Sequence, residues 1–211
     1  MLIEQPWGIS AGGRGTVTTE PDHAIVSLAV NRTSNQPDAA LSATASAVTA
    51  VRQALRDRGV PDTDVTSSRT SIHSAWDGYG PERRFVGHQC RAEFTVKVAE
   101  LDIVEAVVVA VIAAGAEEIQ GVEYATSRTA EVKAEARALA VAAAREKAET
   151  LASAAGVALG PVVHIEDTDP DGDQPVMYRM ASTAADSGSI NFAPGQLTLT
   201  ASVTLGFSIS R

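Results

Sequence analysis

Residues 197–209, Leu-Thr-Leu-Thr-Ala-Ser-Val-Thr-Leu-Gly-Phe-Ser-Ile, alternate apolar and small or polar side chains without a break. A period of two over that length specifies a long β-strand with one face buried and one wet. The rest of the chain must therefore supply partner strands and something apolar to cover that face. Alanine is abundant and aromatics are only 4% of the residues, so the core is built from small and aliphatic groups, which lets helices approach closely. At 211 residues the chain can bury a sizeable core, and a single domain over residues 9–211 is expected.

Other segments fill in the pattern. Residues 17–30 read as one long strand or two short ones, bent at Pro21-Asp22, after a glycine-rich start at Gly12, Gly13 and Gly15. Pro37 and Asp38 suit a first helical turn, and Leu41, Ala45, Val48, Val51 and Leu55 follow at helical spacing up to Gly59 and Pro61. Residues 64–74 and 90–98 read as an antiparallel hairpin joined by a long loop. The β-branched run Val107-Val108-Val109 favours strand locally, but the acidic first turn and Gly115 favour a buried helix over residues 101–114. A short strand at 119–125 leads into the longest helix, 129–155, whose expected stripe is Ala134, Ala138, Val141, Ala144, Ala148, Leu151 and Ala155. Its middle, residues 138–144, is apolar all round and calls for cover, either by the sheet and helices or by another subunit. A strand at 162–165, a long polar loop at about 167–194 and the terminal strand complete the order β-α-β-β-α-β-α-β-β. This is an α+β fold, mostly antiparallel, with helices on one face of the sheet.

A net charge of −9 opposes binding to phosphate backbones and anionic membrane surfaces, so neither is an expected partner. The apolar run at residues 106–114 is about half of the ~20 residues a spanning helix needs. The first eight residues carry no basic, apolar export signal, which gives a cytoplasmic expectation. The lone Cys90 shares parity with Ala92, Phe94, Val96 and Val98 and reads as a buried structural thiol, while Arg91, Glu93, Thr95 and Lys97 point the other way.

Several separated motifs resemble the SIMPL-domain family. They are Gly13-Arg14-Gly15-Thr16-Val17 with Pro21-Asp22-His23-Ala24-Ile25-Val26-Ser27-Leu28, then Gly59-Val60-Pro61 with Asp64-Val65, and Gly87-His88-Gln89-Cys90-Arg91-Ala92. The alanine-rich helix from Ala144 through Arg145-Glu146-Lys147-Ala148 to Gly156 and Gly160 is the most specific, and Pro194-Gly195-Gln196 fits before the last strand. The resemblance implies a fold rather than a reaction. Members are usually secreted or periplasmic, some build hollow ring-like homo-oligomers, some are linked to oxidative or envelope stress, and the family offers no active site to carry over. The missing export signal departs from that pattern.

Chemistry is sparse. Asp167, Asp169 and Asp171 with Gly172 match the opening of a calcium loop, but Tyr178 stands where a bidentate glutamate belongs and Pro170 and Pro175 intrude, so a solvated acidic loop is expected. His23, His73, His88 and His164 form no zinc-holding pair, and there is no nucleophile elbow, P-loop or dinucleotide turn. No cofactor and no catalysis are expected. Trp76, Tyr79, Arg83, Arg84, Phe85 and His88 concentrate aromatics and cations in the hairpin loop of a chain otherwise poor in aromatics. Such clusters mark interfaces. The expected activity is self-assembly into a homo-oligomeric ring or shell with a link to stress, and the alternative is a module that binds a small molecule or protein through the Trp76 to His88 loop.

Overall fold

A computed structural model describes residues 8–78, 80, 83–168 and 194–210. The fold is α+β, as expected, with every strand pairing antiparallel. The strands form two sheets rather than one, in two compact units. The opening strand segment is two strands, β1 (Ile9–Thr19) and β2 (His23–Ser34), and they belong to different sheets. The glycine-rich start is inside β1, not before it.

The first unit holds β1, the helix α3 (Thr129–Ala155), β6 (Ala158–Asp167) and the terminal strand β7 (Leu197–Ser210), with β7 central in the order β1-β7-β6. The alternation in β7 sends Leu197, Leu199, Ala201, Val203, Leu205 and Phe207 inward. Their cover is α3, but of the expected stripe only Ala144 and Ala148 take part. The buried residues are Val132, Ala136, Ala140, Ala144, Ala148 and Ala152, at strict steps of four, while Ala134, Ala138, Val141, Leu151 and Ala155 lie outside. The reason is distance. A Cβ built on Gly13 would lie 2.0 Å from the Ala140 carbonyl oxygen, and one on Gly15 would lie 2.0 Å from that of Ala136. The helix backbone thus rests on the strand backbone, and beyond Val132 the inner face holds only alanine. Gly156, at φ 68°, ends the helix in the left-handed region that glycine adopts without strain.

The second unit is a four-stranded sheet in the order β3-β4-β2-β5, where β3 is Val65–Asp77, β4 is Arg84–Val98 and β5 is Glu118–Ala125. Helices α1 (Pro37–Arg56) and α2 (Val104–Ala113) enclose its core of Val26, Leu28, Val30, Phe94, Val96, Val51, Leu55, Val107 and Val111. The valine run is therefore helical, as length and flanks predict. In α1 the second half of the expected stripe, Val51 and Leu55, is buried, but Leu41 and Ala45 are exposed and Ala40, Thr44 and Ala47 take their place. Buried Thr44 donates its hydroxyl to the Ala40 carbonyl at 2.9 Å, so its polar atom is satisfied. Cys90 is fully buried and free, on the parity expected.

If backbone contact between β1 and α3 sets the first unit, Gly15→Val costs about 3 kcal/mol or more, because overpacking here must move backbone rather than side chain. Gly12→Ala, whose Cβ would meet nothing closer than 3.9 Å, stays within about 0.5 kcal/mol. Urea denaturation of the two variants measures the difference, and equal midpoints would refute the close contact.

Candidate functional site

The β3–β4 hairpin is longer than its sequence signal. Strand β2 ends at Ser34, opposite His88, whereas β3 and β4 continue to pair through Ala75 with Gly87, Trp76 with Phe85 and Asp77 with Arg84. Most of what reads as a long loop is thus a two-stranded arm. At its base Gly87 has φ 141°, and a Cβ there would lie 2.7 Å from the Ser34 carbonyl oxygen, so β4 passes the end of β2 at a spacing only glycine permits. Just beyond, a register shift between Ala75 and Trp76 leaves Val86 as the extra residue, which bends and twists the arm.

A two-stranded ribbon has no third layer to bury its apolar side chains. Trp76 and Phe85 accordingly keep 46% and 43% of their surface exposed. They are ordered against each other all the same. The Trp76 and Phe85 rings meet edge to face at 5.3 Å between centroids, Phe85 meets the His88 ring at 5.3 Å in the same way, and the Arg83 guanidinium sits 4.9 Å from the Trp76 ring centroid. The structure thus brings Trp76, Arg83, Phe85 and His88 into one stacked cluster, with Arg84 opposite Asp77 in the ladder. Tyr79 lies outside the described residues. Ile72 and Val86 add exposed apolar surface on the same hairpin, a signal that strand parity alone did not single out.

A second group lies on the sheet face turned away from the helices. Arg91 on β4 donates through Nε to Glu93 at 2.8 Å and through Nη1 to Glu118 on β5 and, at 3.4 Å, to Asn31 on β2. The guanidinium holds the Glu118 carboxyl below its ordinary value, and the two carboxylates push Arg91 up. The adjacent Glu117 pairs instead with Arg32 at 2.8 Å. Glu118, held ionised by Arg91, is a poor proton donor near neutrality. The cluster clasps three strands. Sequence parity showed that Arg91 and Glu93 face outward but not that β5 returns Glu118 beside them.

The other candidates divide. Asp167 closes β6 and accepts from Arg137 Nε at 2.9 Å, while Asp169 and Asp171 lie outside the described residues. His23 pairs with Asp22, and His73 with Gln89 at 3.0 Å. Among the described residues no group of three histidine, cysteine or carboxylate side chains converges as for a metal, and no helix is long and apolar enough to cross a membrane.

The class defined by this arrangement is a two-sheet α+β protein that presents an aromatic hairpin arm. The chain belongs to the SIMPL family, described as a protein of unknown function (DUF541), whose pattern matches residues 9–207. It is similar to the 26 kDa periplasmic immunogenic protein of Brucella melitensis, 31% identical over 99% of this chain and 87% of that protein. The protein of the same description from Brucella abortus matches with the same identity and coverage. The regulatory subunit of aspartate kinase from Thermus flavus aligns over 92% of this chain and 87% of its own at 16% identity, but its TM-score of 0.20 supports no common fold. The relatives overturn the cytoplasmic expectation, since both are described as periplasmic. That expectation rested on a signal not seen in a few residues, and such an absence weighs little against similarity along nearly the whole chain.

The pH dependence of stability follows from Glu118. Its carboxyl is depressed in the folded state, so the stabilisation it contributes is present above the ordinary value of 4.5 and is lost as pH falls through the lower folded value. Glu118→Gln should therefore flatten the decline of melting temperature below pH 4.5 relative to the parent chain. Parallel curves would remove the clasp from the account.

Proposed function

We propose that this chain is a non-catalytic, self-assembling SIMPL protein of the periplasm, and that the β3–β4 arm is a contact through which copies join. The observation that carries this reading is the pair of nearly half-exposed rings of Trp76 and Phe85 at the end of the arm, in a chain with 4% aromatic residues. Aromatic and arginine side chains that are preordered and unburied lose little entropy on docking and bury a large area when they do. Arg83 and Arg84 are balanced in sequence by Asp77 and Glu82, so the arm carries no net charge within a chain of net charge −9 and approach of another copy to it is not opposed by like charge. An arm that meets a different patch on its neighbour makes a head-to-tail contact, and such contacts form a ring where the rotation between copies closes and an open filament where it does not. A ring or shell scaffold, with a role in envelope stress, is the function this reading assigns. The periplasmic placement is supported by the descriptions of the Brucella relatives.

The Trp76→Ala, Phe85→Ala double variant should sediment as a smaller species than the parent chain, with the far-ultraviolet spectrum unchanged because the rings lie outside both cores. An unchanged sedimentation coefficient would contradict the reading and turn the arm into a candidate for binding a different molecule.

A further inference from the structure

The outer edge of β1 is a second surface that the arm does not use. Among the described residues β1 pairs with β7 alone, in unbroken register from Ile9 opposite Phe207 to Thr19 opposite Leu197. An edge strand presents alternate N–H and C=O groups as a template for another strand, and proteins blunt such edges with bulges, prolines and charge. The other described edges are blunted in this way. Strand β6 carries Pro161 and two register shifts, β3 has two shifts against β4, and β5 has one against β2. Strand β1 has no proline, no shift and one charge, Arg14.

We infer that β1 pairs antiparallel with β1 of a second copy about a two-fold axis, extending the sheet across the contact. Leu139 selects this occupant over a free extended peptide. The inner alanines of α3 pack with Val203, Leu205 and Phe207 of β7, whereas the Leu139 Cβ lies 2.7 Å from where a Gly15 Cβ would be, on the β1 side of the helix, and the side chain is 46% exposed. A peptide would take the edge hydrogen bonds and leave Leu139 wet. A second β1 brings its own α3, and the two-fold sets one Leu139 flank beside the other. Strand β1 itself carries no carboxylate, and its one charge is Arg14. An axis at Gly13 or Gly15 places Arg14 opposite Gly12 or Thr16 rather than opposite itself. Lys147 Nζ reaches the Gly12 carbonyl at 3.5 Å, a long contact that a paired strand replaces.

The inference rests on the self-assembly reading but on a different surface, so the two can fail separately. Residue-resolved amide exchange on the intact protein is the test. In the associated protein the amides of residues 11–17, which either axis pairs, should all be protected, and in Leu139→Glu the mass should fall while alternate β1 amides exchange as fast as unstructured chain and those of β7 stay protected. Rapid exchange of alternate β1 amides in the associated protein would overturn the inference, as would full protection in a monomer. Protection of β1 that persists in the smaller Trp76→Ala, Phe85→Ala species supports both surfaces. Protection with no change of mass in that variant supports the edge and removes the arm, and a monomeric parent chain removes both.

Discussion

The contact of backbone with backbone between β1 and α3 is the constraint on which the first unit depends. Helices ordinarily pack on sheets through layers of large side chains, but here Gly13 and Gly15 remove the strand's side chains and a ladder of alanines removes the helix's. The gain is dispersion between closely approaching main chains. A consequence is that the bulkier residues of α3, Leu139, Val141 and Leu151, have no room inside and are turned outward. Exposed apolar surface on this helix follows from the close packing within.

The same economy recurs in the second unit, where Ala40, Thr44 and Ala47 of α1 face the sheet and Leu41 does not. It explains where the sequence was legible and where it was not. Periodicity of two located β7 and the parity of β4 because strands alternate whatever the size of their residues. Helix existence and ends were readable from Pro37, Gly115 and Gly156. The faces of α1 and α3 were misread because hydrophobic periodicity weights large side chains, and the inner faces of these helices select small ones. The glycines of β1, read as a preamble to the strand, were the signal that would have corrected this.

The candidate site was half legible. Composition alone pointed to Trp76, Arg83, Phe85 and His88, because aromatics are scarce elsewhere, and the structure stacks these four. That they stand on a strand arm rather than in a loop depended on β2 ending at Ser34 while β3 and β4 continue, a matter of strand lengths in three dimensions. The Arg91 clasp was hidden for a related reason, since Glu118 reaches it only through the pairing of β5 with β2. Membership of the SIMPL family accounts for the fold and for the order of its motifs. The surfaces that the fold leaves uncovered are where its activity is to be sought.

Association of copies is the claim that joins the exposed arm, the outward residues of α3 and the open edge of β1. Light scattering of the unmodified chain after size exclusion, over a wide range of concentration, tests it directly. The account predicts a discrete mass that is an integral multiple of 21.9 kDa and persists on dilution. A mass of 21.9 kDa at every concentration would contradict it.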